Sequence, residues 1–340
     1  MKPTFEAQGV KLKAPFPYFG GKSTIAADVW KRLGIARNYV EPFAGSLAVL
    51  LGRPAGFAGP ETVNDLDCLI VNAWRAIAGN PEGLAALLIA PVAEVETEAQ
   101  HNALVRGKHA LRDKLGDPEW CDVQRAAWWI KGANEWIGTG WATGEGPHSW
   151  TAEGGWEKNG GVQRKLPHLG NAGKGINRQL PHLGNAGTGA FSDRLAFVTG
   201  WLSALRDRLC SVRIACGPWQ RVTGESVTVK HGLTGVFLDP PYSGTEYVYG
   251  SAEDVSTQVG QWCAENGGNR LLRIVLAGRD MEHDHLLALG WGKHVWSGMK
   301  GYSKTDDRHA EALWCSPHCE TPANHPTQQQ FAIDDAARMG

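Results

Sequence analysis

Residues 235–242 end an apolar run in an acid, two prolines and an aromatic ring. The apolar residues 236–238 are typical of a short buried strand, and the prolines cannot continue it because neither has an N–H to pair with a neighbouring strand. The chain therefore leaves the sheet at Asp239. This places a carboxylate, rigid backbone carbonyls and the ring of Tyr242 at a strand's carboxyl end, the edge where open α/β sheets bind ligands.

A second stretch, residues 39–46, predicts a short strand that turns sharply into an apolar helix at 47–51. Gly45 lies in the turn, where a glycine lets a ligand approach the backbone and a helix N-terminus. About twenty residues later another strand ends at Asp65, the place where nucleotide-binding folds put the acid that holds a ribose. An acid in a solvated turn that binds no ligand would give the same sequence pattern. Together the two elements favour an adenosine-bearing cofactor.

Ahead of both stretches, residues 15–24 form an aromatic, glycine-rich loop that feeds a predicted helix at 25–33. The tripeptide at 21–23 is similar to part of a phosphate-binding loop. That motif needs a glycine where this chain has Phe16, and a strand before it, and neither condition is met. We therefore reject a nucleoside-triphosphate site here.

The middle of the chain has a different character. Residues 80–117 and 123–136 show helical patterns, whereas 138–190 are rich in Gly, Asn, Trp and His and contain an exact duplication, 166–173 and 180–187. The charged residues from 158 to 190 are all basic, which suits a phosphate backbone, while Asn and His can reach base edges. A surface loop that duplicated without consequence is the alternative. The predicted nucleic-acid contacts are Lys158, Arg164, Lys165, His168, Asn171, Lys174, Arg178, His182 and Asn185.

Length and composition limit the classes of protein to which the chain can belong. A chain of 340 residues is long enough for an α/β core and a smaller second domain. It has no apolar run long enough to span a bilayer and no signal peptide at its N-terminus, so we expect no membrane partner and a cytoplasmic location. The net charge of −1 means that any nucleic-acid surface is local. Cys315, His318 and Cys319 are too few for a zinc site, and we expect no metal.

With these pieces in order, the chain resembles the Dam-like group of DNA adenine-N6 methyltransferases, especially forms found in phages and prophages. Residues 239–242 match the family's catalytic tetrapeptide, 41–46 its methyl-donor loop and 17–22 its N-terminal donor-binding element. The resemblance covers about 15–74 and 212–317. It implies an α/β fold with a Rossmann-like S-adenosylmethionine-dependent methyltransferase sheet, helices on both faces, and an inserted target-recognition domain made mainly of helices and loops.

The expected domains are then a tail at 1–14, a catalytic domain at 15–80 and 210–317, an insert at 81–209 with its glycine-rich loop at 138–190, and a polar tail at 318–340. The resemblance implies S-adenosylmethionine as donor and double-stranded DNA as substrate. The implied donor-binding residues are Tyr18, Phe19, Gly20, Gly21, Lys22, Glu41, Pro42, Phe43, Ala44, Gly45, Ser46, Asp65 and Asp239. The sequence predicts no oligomeric state.

The resemblance also implies roles in the catalytic tetrapeptide, Asp239, Pro240, Pro241 and Tyr242. The Asp239 carboxylate and the Pro240 carbonyl would accept the amine N–H groups of a target adenine. Tyr242 would stack on the base once it is extruded, with simple packing as its alternative.

Two positions depart from the family. Leu47 stands where the family usually has a second glycine, and Pro218 where it often has an acid near the donor adenine. These changes predict weaker donor binding or a rearranged loop. Three other functions stay open: methylation of cytosine N4, binding of nucleic acid without turnover, and RNA as the substrate.

Overall fold

Seven short strands form one mixed sheet in the computed structural model, which describes residues 12–18, 20–91, 94–117, 119–136, 141–142, 149–150, 156–157, 179–180, 184–185, 191–242, 252–296 and 310–321. The strands are β1 Asn38–Glu41, β2 Glu61–Asp65, β3 Val212–Cys216, β4 Thr234–Leu238, β5 Leu272–Arg279, β6 Gly292–Trp296 and β7 Glu311–Cys315. Their order across the sheet is β6-β7-β5-β4-β1-β2-β3. Six strands run parallel, and β7 is antiparallel to both of its neighbours.

Helices connect the strands, as the sequence pattern predicts. They are α1 Ala26–Leu33, α2 Ala48–Leu51, α3 Cys68–Gly79, α4 Pro81–Leu88, α5 Glu94–Lys114, α6 Val123–Glu135, α7 Phe191–Leu209 and α8 Ala252–Asn266, with 3-10 helices at Trp219–Val222, Val229–His231 and Asp284–Leu289. Two-residue strands also pair, Ser149–Trp150 with Trp156–Glu157 and Gln179–Leu180 with Gly184–Asn185. No helix in the described ranges is long and apolar enough to cross a membrane.

Both faces of the sheet are buried. Along β5, Val275 and Ala277 join the core on one face, which also contains residues of α1 and α3, whereas Ile274 and Leu276 join the core on the α8 face. Alternate residues of a strand point to opposite faces, so a strand buried on both sides is apolar throughout. The predicted α/β class is confirmed.

Helices α4 to α7, which lie in the predicted insert, share a core with the helices of the sheet. Trp74 of α3, Leu84 of α4, Leu104 of α5 and Leu202 of α7 belong to one buried cluster. Helix α3 packs against α6 and α7, and α4 packs against α7. The helical part of the insert is therefore joined to the sheet by apolar packing, and the division into two domains stays a prediction.

The sheet has a switch point between β1 and β4. From β1 the chain adds β2 and β3 on one side, and then returns to add β4 and β5 on the other. Val40 of β1 pairs in parallel with Val236 of β4, so both strands end at the same edge. At a switch point of this kind the loops that leave the two strands run in opposite directions, and sheets of this type bind ligands in the crevice between those loops.

Candidate active site

The buried ammonium of Lys22 holds the carboxylate of Asp239. Lys22 lies in the turn before α1 and Asp239 directly after β4, and Lys22 Nζ is 3.1 Å from Asp239 Oδ1. The Lys22 side chain is only 5% exposed and that of Asp239 is 21% exposed. Burial raises the pKa of Asp239 above its ordinary value, and the nearby ammonium partly opposes that rise. The N-terminal motif at 17–22 and the tetrapeptide at 239–242 thus meet at the carboxylate of Asp239.

Tyr242 also contacts this carboxylate. Its hydroxyl donates a hydrogen bond to Asp239 Oδ1 over 3.3 Å, and Lys22 Nζ lies 5.1 Å from the centre of its ring. Burial and the charge of Asp239 raise the pKa of Tyr242, so the hydroxyl stays protonated and acts as a donor. Pro240 is buried and Pro241 half-buried beside it. Stacking of Tyr242 on a base stays a prediction.

A second carboxylate, Glu311, belongs to the site and was not predicted. Its Oε2 lies 3.7 Å from Lys22 Nζ. Burial raises the pKa of Glu311, Lys22 lowers it, and Asp239 raises it further. The signal that would have found it is strand direction: Glu311 begins β7, and an antiparallel strand begins at the edge where its parallel neighbours end.

Glu41, expected in the donor loop, points into the protein. Its side chain is 2% exposed, and its Oε2 accepts hydrogen bonds from the hydroxyl of Tyr39 over 2.9 Å and from the N–H of Leu50 over 3.2 Å. Burial raises the pKa of Glu41 to about 8, against the lowering effect of these two bonds. Its carboxyl group therefore ties β1 to α2 below the loop, and a direct contact with the donor stays a prediction.

Gly45 is approached closely by the ring of Tyr18, and the approach of a ligand to its backbone stays a prediction. Its φ is +45°, in the left-handed region, and a Cβ atom there would come within 2.5 Å of the Tyr18 ring. The Gly45 N–H donates to Asp65 Oδ2 over 2.9 Å, and Asp65 Oδ1 accepts from the N–H of Asp67 over 2.8 Å. Burial raises the pKa of Asp65 to about 6. Three predicted donor-binding residues, Tyr18, Gly45 and Asp65, thus lie together.

Leu47, one of the two positions that depart from the Dam-like motifs, has the backbone conformation of a glycine. It has φ 54° and ψ 28°, which is left-handed backbone, and its side chain is fully buried. A glycine adopts this conformation without steric cost, whereas a leucine pays for it with strain. The chain therefore keeps the backbone geometry that favours glycine while filling the space with an apolar side chain. Pro218, the other departure, is exposed at the start of a 3-10 helix.

Asn64 joins the ends of three strands and was not predicted. Its Nδ2 donates to the Pro42 carbonyl over 3.1 Å and to the Gly217 carbonyl over 2.9 Å. The Asn64 side chain is 1% exposed. Because Pro42 follows β1 and Gly217 follows β3, this residue of β2 holds the loop after β1, which borders the crevice, to the loop after β3.

The other predicted donor-binding residues that the structure describes lie in the turn before α1 and in the loop after β1. Gly20 and Gly21 are exposed, Pro42 and Ala44 are buried, and Phe43 and Ser46 are half-buried; Phe19 lies outside the described residues. The Gly20 carbonyl accepts from Lys22 Nζ over 2.7 Å.

The predicted nucleic-acid contacts stay predictions. Lys158, Arg164, Lys165, His168, Asn171, Lys174, Arg178 and His182 lie outside the described residues. Asn185 is described only by its backbone, which pairs with Gln179. Within the described ranges no group of three or more His, Cys, Asp or Glu side chains forms a metal site.

A scan against models of known protein families gave no match, and a search of curated proteins gave no match either. The resemblance to Dam-like enzymes therefore rests on the three motifs and their order along the chain.

Proposed function

We propose that this chain is an S-adenosylmethionine-dependent DNA methyltransferase that methylates the N6 amino group of adenine in double-stranded DNA. The observation that carries the proposal is the 3.1 Å ion pair between Lys22 and Asp239. It joins the N-terminal motif to the catalytic tetrapeptide at the edge of the sheet where Gly45 and Asp65 also meet.

The strand order supports a nucleotide-type cofactor. The run β3-β2-β1-β4-β5 has the order of doubly wound nucleotide-binding sheets, in which ligands bind at the switch point. The pairing of β1 with β4 forms that switch point here. This is the Rossmann-like part of the proposal.

The charges at the crevice suit a cationic donor. S-adenosylmethionine carries a sulfonium, and its ribose has two hydroxyl groups. Asp239 and Glu311 place two carboxylates around the single ammonium of Lys22. Asp65 adds a third carboxylate beside Gly45. These carboxylates attract a sulfonium, and Asp65 stands where a ribose-binding acid is expected.

The residue types suit the chemistry of an aromatic amine. The amine of adenine is a poor nucleophile because its lone pair is delocalised into the ring, and acceptors for its N–H groups favour the pyramidal nitrogen that attacks. When bound, the donor supplies an electrophilic methyl group on its sulfonium. The Asp239 carboxylate and the Pro240 carbonyl serve as the acceptors, and Asp239 takes the proton that the amine loses. Tyr242 holds the extruded base.

Product identity tests the proposal. The protein is incubated with duplex DNA of mixed sequence and a donor labelled in its methyl group, the DNA is digested to nucleosides, and the label is located by mass spectrometry. We expect N6-methyldeoxyadenosine. Label in N4-methyldeoxycytidine, or in RNA offered in a parallel reaction but not in DNA, would replace the proposed substrate. Donor binding without any labelled product would leave a binding protein on the same fold.

A further inference from the structure

Glu311 reaches the site from the far side of β5. It is the first residue of β7 and pairs across the sheet with Arg279, the last residue of β5. Opposite residues of an antiparallel pair point to the same face. The reversed direction of β7 therefore brings an acid from late in the chain to the edge where β4 ends at Asp239.

Lys22 is anchored at three points. Its Nζ donates to the Gly20 carbonyl over 2.7 Å and lies 3.1 Å from Asp239 Oδ1 and 3.7 Å from Glu311 Oε2. A separation of 3.7 Å is too long for a hydrogen bond, so Glu311 acts on the ammonium through its charge. The lysine is thereby shared by two carboxylates.

The two oxygens of Asp239 differ. Oδ1 is approached by Lys22 Nζ and by the Tyr242 hydroxyl, over 3.1 and 3.3 Å. Oδ2 has no hydrogen-bond donor among the described residues. One oxygen is thus held in place and the other is left to accept a proton.

We infer that Glu311 is a positioning residue for the proposed methyl transfer: its carboxylate holds the Lys22 ammonium on Oδ1 of Asp239 and offsets its charge, which leaves Oδ2 as a basic acceptor for the substrate amine. This inference rests on the proposed function for its catalytic meaning. The electrostatic relation among the three side chains is testable without it.

Removal of the Glu311 charge is expected to lower the basicity of Asp239. Without it, the ammonium acts on Asp239 alone, which favours the ionised carboxylate and makes it a weaker base. Among the described residues, the other titratable or charged groups near this cluster are Glu41, Tyr242, Glu282 and Arg279. They are common to the wild type and to a Glu311 variant, so the difference between the two reports Glu311.

The direct test is a carboxyl ¹³C NMR titration of the full chain labelled at aspartate, with the Asp239 resonance assigned by its absence from Asp239→Asn. In Glu311→Gln the titration midpoint of the Asp239 carboxyl group falls by about 0.5 pH units or more. In Glu311→Asp the midpoint lies between those of Glu311→Gln and the wild type. An unchanged or higher midpoint in Glu311→Gln overturns the inference. Glu225→Gln is the control: Glu225 is exposed, and nearby Val227 binds Asn38 at the start of β1, the opposite edge of the sheet.

The catalytic part is tested by the pH dependence of kcat/KM. The acidic limb shifts to lower pH in Glu311→Gln and kcat falls, while KM for DNA stays at its wild-type value. A limb that does not move contradicts a positioning role. If the wild type forms no methylated nucleoside, the proposed function and the catalytic role of Glu311 both fail, and the NMR titration still decides whether Glu311 sets the basicity of Asp239.

Discussion

The ammonium of Lys22 lies 3.1 Å from Oδ1 of Asp239, joining the turn before α1 to the end of β4. Both groups lie at the carboxyl edge of the sheet, and the lysine is almost fully buried. A charge pair in this position ties distant parts of the chain together, and it sets the protonation of the carboxylate proposed to act on the substrate.

Loss of this lysine is expected to destabilise the fold in a pH-dependent way. Lys22→Met leaves Asp239 and Glu311 without their cation, and breaking a buried pair costs about 3 kcal/mol or more. Both acids already have a raised pKa, and without Lys22 it rises further. The deficit is therefore largest at pH 8 and shrinks as the pH falls and the acids take up protons. Urea unfolding at pH 8 and pH 5 measures it.

Lys31→Met is the matched control. Lys31 pairs with Asp28 over 3.0 Å, but its side chain is 59% exposed, so its loss costs less than about 0.5 kcal/mol. A Lys22→Met protein as stable as Lys31→Met at pH 8 would show that the buried pair contributes nothing.

The raised pKa of Glu41 predicts that the folded protein loses stability as the pH rises. Its pKa is about 8 when folded and about 4.3 when unfolded, so the folded state binds the extra proton between these values and stability falls across that window. Glu41→Gln removes this dependence. Relative to the wild type, the variant gains up to about 1.4 kcal/mol per pH unit in that window and nothing more above pH 8. Urea unfolding from pH 5 to pH 9 checks it.

Asp65 and Glu135, with pKa values of about 6 and about 7, titrate in both proteins and cancel in the comparison. A difference between Glu41→Gln and the wild type that does not change with pH would mean that Glu41 is ionised in the folded protein.

The left-handed backbone of Leu47 predicts that a glycine variant at this position is more stable than an alanine variant, the reverse of the usual order inside a helix. Both substitutions lose the buried side chain, but only glycine relieves the left-handed backbone, so Leu47→Gly is expected to be more stable than Leu47→Ala by about 1 kcal/mol. At Leu50, inside α2 and also fully buried, alanine is the more stable by about the same amount. Thermal or urea unfolding of the four variants decides it. The same order at both positions would rule out strain at Leu47.

Asn64 is expected to affect donor binding as well as stability. Asn64→Leu leaves the carbonyls of Pro42 and Gly217 without their donor, which costs about 2 kcal/mol and loosens the loop after β1 that borders the crevice. Asn72→Leu is the control, because Asn72 is equally buried but binds the backbone of Asp122 at the start of α6. Calorimetry with S-adenosylmethionine should show weaker binding only in Asn64→Leu. An equal loss in both variants would assign Asn64 a purely structural role.

The sequence predicted β1, β2 and β4, and the edge at which they end, because each contains apolar residues and stops at an acid or at an acid followed by proline. Asp239 and Asp65 were placed at that edge by this pattern alone, since parallel strands end together. Glu311 was missed because strand direction depends on pairing between distant segments, which a local pattern does not contain. The left-handed backbone of Leu47 was missed because burial in the tertiary structure offsets a local steric cost.

The role of Asp239 is the central claim, and single-turnover methyl transfer by Asp239→Asn tests it most directly. The variant is saturated with labelled donor, mixed with duplex DNA, and label in N6-methyldeoxyadenosine is followed over time, with donor affinity measured by calorimetry on the same preparation. We expect the rate to fall at least about 100-fold, the usual contribution of a proton acceptor, with donor affinity within about threefold of the wild type. Transfer at a rate within about fivefold of the wild type would contradict the account.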